Sequence, residues 1–220
     1  MNYQIKEFPH LQFGSIYCIG RNYAKHIEEM KSEKTADPVV FLKPRSSIIR
    51  SGSKIELPSI SSNVHHEVEL VALIGKETFH VSEDKALDSV CALAVGLDLT
   101  ARDLQSDAKK AGLPWTLSKG LHSFAPLGNF IKYSSNGTVD VQNLDISVHV
   151  NGLCRQSGNT SGMIFTLSEI ISYLSAHFKL NPGDLIFTGT PEGVSQINRG
   201  DRISAAMGGN LSTLEVDVDK

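Results

Sequence analysis

Short apolar runs rich in β-branched residues recur along the chain at 16–19, 39–42, 68–74, 93–99, 146–150, 185–188 and 214–218. Each is bounded by Gly, Pro, Asn or Asp, and that pattern predicts strands. Asn151-Gly152 follows the run at 146–150 and predicts a type I′ hairpin turn. Asn181-Pro182-Gly183-Asp184 predicts a second tight turn, and Arg199-Gly200-Asp201 a turn between strands. Helical spacing is rarer. Thr166-Leu167-Ser168-Glu169 fits a capping box, with Phe165 and Ile170 placed as a hydrophobic staple. Leu167, Ile170, Ile171, Leu174 and Phe178 then fall on one helical face. A second helix is predicted from 23 to about 30 with Asn22 as its N-cap. A third is predicted over 104–112, stopped by Gly112-Leu113-Pro114. Strands do not alternate regularly with helices, which disfavours a parallel Rossmann-type sheet. The expectation is a β-rich mixed α/β domain with a few peripheral helices, undivided by any repeat or linker.

Composition narrows the classes of function. The 220 residues are 40% hydrophobic and 20% charged, as in an ordinary globular protein. A formal net charge of −3 provides no basic patch of the kind nucleic acid demands. No apolar run reaches the roughly 18 residues of a membrane span, and the N-terminus lacks a secretory pattern. Cys18, Cys91 and Cys154 stand far apart and outside any Cys-x-x-Cys pair. Reduced, buried thiols in a cytoplasmic protein are expected, not a disulfide framework or zinc finger. Asn-x-Ser/Thr tripeptides at 136, 159 and 210 carry no meaning without a secretory route.

The chemistry lies in His65-His66-Glu67-Val68-Glu69-Leu70. This is not a zinc-protease helix, because Leu70 stands where a second His is required. On a strand, Glu67 and Glu69 project to the same face, about 7 Å apart. Such a pair is either solvated at the surface or neutralised by a partner. Asp98 adds a third acid inside the apolar stretch Leu93-Ala94-Val95-Gly96-Leu97-Asp98-Leu99. It either caps or pairs locally, with Arg102 for instance, or joins the glutamates on a metal. Two Glu and one Asp without a thiolate form a hard, oxygen-only set suited to Mg²⁺, Mn²⁺ or Ca²⁺. Three carboxylates leave roughly three of six octahedral positions for water or substrate.

Several motifs in order carry a resemblance: Gly20-Arg21-Asn22-Tyr23-Ala24-Lys25-His26, Phe41-Leu42-Lys43-Pro44, the His65–Leu70 stretch, Leu97-Asp98-Leu99-Thr100-Ala101-Arg102-Asp103, Gly112-Leu113-Pro114-Trp115 and Phe187-Thr188-Gly189-Thr190-Pro191-Glu192-Gly193-Val194. Together they resemble the fumarylacetoacetate hydrolase superfamily, specifically its small single-domain branch of acylpyruvases and oxaloacetate decarboxylases. The resemblance covers 14–218 as a catalytic domain and leaves 1–13 as a short N-terminal extension. It implies a mixed β-roll with a divalent metal, Mg²⁺ foremost, held by Glu67, Glu69 and Asp98 in a cytoplasmic homodimer. It also implies that His26 and Glu29, at i and i+3 of the first helix, activate a water from a lid over 23–35. Lys119 is implied near the metal, where it stabilises a developing enolate. Gln105 lines the pocket, while Thr190 and the Gly189 backbone bind a substrate carboxylate. Arg21 and Tyr23 meet the distal end of the substrate. After Lys119 the chain departs from its relatives with Leu121-His122-Ser123-Phe124, which leaves His122 as a loop substitution or an added titratable group. His65 and His66 stay outside the metal shell, with one free to orient a carboxylate.

The implied activity is metal-dependent C–C cleavage of small 2-keto or 1,3-diketo acids. Acylpyruvate hydrolysis and oxaloacetate decarboxylation both pass through an enolate that the cation stabilises. Keto–enol isomerisation of oxo-diacids shares that intermediate and is the alternative. A non-catalytic metal- or metabolite-binding protein is a third possibility. It would bind the cation while tolerating changes at Lys119 and His26.

Overall fold

The computed structural model describes residues 3–31 and 33–220. Met1 and Asn2 of the N-terminal extension, and Ser32 of the 23–35 lid, lie outside the described residues. The apolar runs form strands that assemble into a mixed eight-stranded sheet. Its path runs Val39–Lys43, Ile16–Gly20, Leu185–Phe187, Val68–Ile74, Val90–Leu97, Ala125–Leu127, Ile48–Arg50, with Ile131–Lys132 also paired to Val90–Leu97. Only the pairs Leu185–Phe187 with Ile16–Gly20 and Ala125–Leu127 with Ile48–Arg50 are parallel among its described ladders. A five-stranded sheet built on Asp145–Val150, Leu153–Asn159, Arg202–Met207 and Ser212–Val218 packs against it. This is the β-rich mixed architecture that the sequence predicts.

The central strand Val68–Ile74 is buried on both faces, which explains its unbroken apolar character. Period-2 alternation divides it. Val68, Leu70, Ala72 and Ile74 enter the main core with the five-stranded sheet and the helix Leu167–His177. Val71 and Leu73 enter a second core with Ile16, Cys18, Ala92, Ala94 and Phe187. Residues 3–13 cap that second core. Gln4–Ile5 pairs with Phe8–Gln12, and Ile5, Phe8, Leu11 and Phe13 are buried there.

Five α-helices are described: α1 Ala24–Glu29, α2 Glu83–Ala86, α3 Arg102–Ala111, α4 Thr116–Lys119 and α5 Leu167–His177. The Thr166/Glu169 capping box forms at the start of α5, where the Glu169 carboxylate accepts the Thr166 N–H at 2.7 Å. Gly112 ends α3 in the left-handed conformation, and Asn151 and Gly152 take the positive φ values of a type I′ turn. Asn22 does not cap α1. Its amide is sequestered between two loops, donating to Phe165 O (3.0 Å) and Thr188 O (2.7 Å) and accepting from Phe165 N. A buried Asn with such partners stabilises more as a loop clamp than as a cap on a six-residue helix. The thiols also differ from expectation: Cys18 is buried, Cys91 half-buried and Cys154 exposed, all free.

Thr166→Ala is expected to lower the unfolding free energy by about 1 kcal/mol, since it removes one side of the capping box. Urea unfolding followed by circular dichroism measures this, and no loss would contradict the capping geometry.

Candidate active site

Strand alternation and register build the acidic centre. Glu67 and Glu69 share parity with Val71 and Leu73, so they continue the second-core face past the last apolar residue. On the neighbouring strand Asp98 continues the face of Ala92, Ala94 and Gly96. The ladder pairs Glu69 with Gly96, and Asp98 N–H donates to Glu67 O at 2.9 Å. The three carboxylates therefore converge, each offering an oxygen within 4.8 Å of the others. They are 4%, 1% and 1% exposed for Glu67, Glu69 and Asp98, which rules out a solvated Glu-x-Glu pair.

Burial at that level demands cations. Lys119 at the end of α4 reaches Glu67 Oε2 (2.9 Å) and Asp98 Oδ2 (2.5 Å). Arg102 at the start of α3 clamps the other oxygen of Glu67 and donates to Gln105 Oε1 at 2.9 Å. Asp98 thus pairs with Lys119, not with Arg102 as its local alternative had it. Lys43, fully buried on an edge strand, lies 2.7 Å from Asp98 Oδ1. Sequence reasoning gives no place to Lys43 and weighs Arg102 only as a partner of Asp98. A lysine in an apolar strand carries no periodic signal, although Lys43 sits inside the quoted motif Phe41-Leu42-Lys43-Pro44.

The electrostatics divide the glutamates. Burial pushes the Glu67 carboxyl up, but Arg102 and Lys119 together hold it well below the usual carboxylate range. Glu69 has no cation within ion-pair distance among the described residues and accepts the Gly189 N–H at 2.8 Å. Burial, Asp98 and Glu67 push its carboxyl well above the usual range. Lys119 is raised despite its burial, because Asp98 and Glu67 favour the ammonium.

A cavity of about 470 Å³, open mouth included, leads to these groups. Arg21, His26, Gln105, Lys119 and Thr190 line it with the three carboxylates. His26 Nδ1 lies 3.0 Å from Glu29 Oε2, and Glu29 Oε1 accepts the Gly193 N–H at 3.0 Å. Tyr23 instead lines a separate groove with Ser157, Asn159 and Pro191. The Gly189 N–H, expected to meet a substrate carboxylate, serves Glu69. Thr190 Oγ1 donates to Val68 O (2.8 Å) and accepts from Gln156 Nε2 (2.9 Å). Gln156 is a further missed residue, since its amide oxygen also accepts from Val68 N–H and meets His66 Nδ1. Neither neighbouring histidine orients a carboxylate: His66 meets Gln156 and Ser195, and His65 meets Asn63. His122 is exposed beside Glu56, outside the cavity lining.

One atom tests whether the site fits a cation. Lys43 aims its protons at the carbonyl oxygens of Leu99 (3.1 Å), Phe124 (2.9 Å) and Lys119. An ammonium has three protons, so Asp98 Oδ1, though close in charge contact, accepts no hydrogen bond. A buried carboxylate oxygen in charge contact but without a hydrogen-bond donor, beside a Glu69 that lacks a counter-ion, fits a hard divalent cation. The donor set therefore fits the expected metal.

The family described as fumarylacetoacetate (FAA) hydrolase C-terminal matches residues 15–219. The chain is 44% identical over 198 residues to the mitochondrial oxaloacetate tautomerase FAHD1 of Bos taurus, covering 90% of this chain and 89% of that protein. It is similar to the crystal structure of fumarylpyruvate hydrolase from Pseudomonas aeruginosa in complex with Mn²⁺ and pyruvate. That likeness has a TM-score of 0.90 and 36% identity, and covers 100% of this chain and 95% of the other. It is also similar to 2-hydroxyhepta-2,4-diene-1,7-dioate isomerase from Mycobacterium marinum, with a TM-score of 0.82, 37% identity and coverage of 96% and 76%. The chain belongs to the fumarylacetoacetate hydrolase family and is an enzyme of that family's general kind.

Lys43→Met is expected to cost about 3–5 kcal/mol of unfolding free energy. It strips Asp98 of a counter-charge and leaves three buried carbonyls without their donor. Urea titration measures it, and a loss below about 1 kcal/mol would remove Lys43 from the charge balance.

Proposed function

We propose that the protein acts on small 2-oxo acids of the size of oxaloacetate or an acylpyruvate, breaking or rearranging the bond at C3 through an enolate. The observation that carries this reading is a buried carboxylate trio that shares one cavity with His26, whose ring Glu29 holds. Glu67, Glu69 and Asp98 would hold a divalent cation, Mg²⁺ or Mn²⁺. Bound there, it supplies Lewis-acid polarisation of a carbonyl oxygen.

The chain's own groups account for the rest. Lys119 places a buried ammonium where negative charge grows on the enolate. Gln105 has its amide oxygen engaged by Arg102, which leaves its NH₂ to donate to a substrate oxygen. Glu29 is fixed by Gly193 and sets His26 so that Nε2 is free to take a proton from water. The resulting hydroxide attacks the distal carbonyl of an acylpyruvate. The C–C bond then breaks with its electron pair passing to C3, and a proton returns there. Oxaloacetate needs no such water, since loss of CO₂ leaves the same enolate.

Tautomerisation is the second reading, supported by the 44% identity to an oxaloacetate tautomerase. It needs only proton movement at C3, which His26 can serve. The His26–Glu29 hydrogen bond favours the hydrolytic reading. Three free cysteines suit a reducing compartment and support a cytoplasmic setting. No helix among the described residues is long and apolar enough to cross a membrane. Leu42, Leu113 and Phe178 line one exposed apolar groove, which supports a homodimer testable by light scattering.

Purified protein with Mg²⁺ or Mn²⁺ is expected to release pyruvate from oxaloacetate or acetylpyruvate, and a chelator to abolish it. Glu69→Gln is expected to lower turnover by at least about a hundredfold. It should also remove the rise in melting temperature on Mn²⁺ addition. Full activity in that variant refutes the cation assignment. His26→Ala is expected to lose acetylpyruvate hydrolysis about a hundredfold while keeping oxaloacetate decarboxylation. Equal loss of both would deny the pair its role toward water.

A further inference from the structure

Helix α3 presents a row of side chains that the reading above leaves unfinished. Arg102, Gln105 and Lys109 stand at i, i+3 and i+7, one face of a helix, and all three line the cavity. Arg102 and Gln105 are buried at the floor, where Arg102 holds Glu67. Lys109 stands seven residues on, about 10 Å further along the helix axis at about 1.5 Å per residue. It is exposed at the mouth, and its Nζ lies 5.3 Å from the centroid of the Trp115 ring, another wall of the cavity. Its neighbour Lys110 turns outward to pair with Asp107 at 3.8 Å. Lys109 makes no such pair among the described residues. Burial and the approach of Arg102, Arg21 and Lys119 hold its ammonium below the usual lysine range.

Arg21 closes the same mouth. It is held at φ 60°, a left-handed conformation that non-glycine residues adopt at a cost and that marks functional sites. Nη1 is tied to Glu33 O at 3.2 Å, while its buried Nε has no partner. Two cations without a carboxylate partner therefore face a cavity whose acids all lie at the far end. Among the described residues no carboxylate pairs with either cation, and an anionic ligand end would.

We infer that Lys109, with Arg21, forms a rim subsite for the distal carboxylate of a 2-oxo diacid, so that the enzyme selects diacids over monoacids of equal length. The inference rests on the 2-oxo acid reading of the floor and adds the residue that sets its specificity. Trp115 fixes the lysine through its ring face, so that the charge is presented inward.

The chain's single tryptophan, Trp115, serves as the reporter. Its fluorescence is titrated in Mg²⁺-loaded protein with 2-oxoglutarate and 2-oxopentanoate, which share a head and chain length but end in a carboxylate or a methyl. Wild type is expected to bind the diacid about tenfold tighter, as a charge-assisted contact provides. Lys109→Gln should lose that preference while its affinity for 2-oxopentanoate stays within about twofold, and Lys109→Arg should retain most of it. A preference that survives Lys109→Gln overturns the subsite. So does a variant that weakens both probes alike, as a merely structural lysine would. Binding of both probes to wild type without preference overturns the subsite alone. Failure of both to bind overturns the 2-oxo acid reading with it.

Discussion

Three carboxylates taken out of water at one end of a sheet constrain everything around them. Each such charge costs several kcal/mol to bury unless it is paired, and removing one partner costs more than the pair contributes. For Glu67 and Asp98 the fold meets that cost with three cations from three separate elements: Lys43 from an edge strand, Arg102 from the start of α3 and Lys119 from the end of α4. None of these elements can shift without exposing an unpaired charge. The acidic centre therefore ties together the placement of two helices and an edge strand.

The alternation of the central strands delivers the acids to one place. The face that carries Val71, Leu73, Ala92 and Ala94 through the second core emerges as Glu67, Glu69 and Asp98 where the apolar cover ends. Gly96 faces Glu69 across the ladder because a Cβ there would fall 2.7 Å from Val71 Cγ2 and 2.9 Å from the Phe187 ring. The strand Leu185–Phe187 supplies the last fixing contacts. Its continuation turns at Gly189, at φ 97°, and sends that amide to Glu69. Asn22 and Gln156 tie this turn to the α1 loop and to the hairpin strand Leu153–Asn159. The His26–Glu29 pair on α1 is thereby linked to the acidic floor by buried, hydrogen-bonded amides.

Much of this was legible in the sequence, and the rest was hidden for physical reasons. The strand runs, the capping box at Thr166, the glycine stop at 112 and the acidic trio all rest on local pattern or on residue types that burial makes costly. The counter-charges do not. Lys43 looks like a solvated edge residue, and only the tertiary fold brings the carbonyls of Leu99, Lys119 and Phe124 around it. Sequence proximity matches Arg102 to Asp98, whereas the fold pairs it with Glu67, 35 residues away. Asn22 matched the composition of an N-cap while its amide served loops more than a hundred residues away. Long-range hydrogen bonds leave no periodic trace. Gln156 was missed for that reason.

The balance of charge along the cavity ties these parts together. Its lining holds Glu67, Glu69 and Asp98 at the floor and Arg21, Arg102, Lys109 and Lys119 from floor to rim. The lining bases already outnumber the acids by one. Any divalent cation accepted by the floor would make the cavity strongly positive, so the species that completes it must be anionic. The geometry sorts the cations by depth. Arg102 and Lys119 are committed to the acids and cannot leave them. Arg21 and Lys109 pair with no carboxylate among the described residues, which leaves them open to a charge that arrives from solvent.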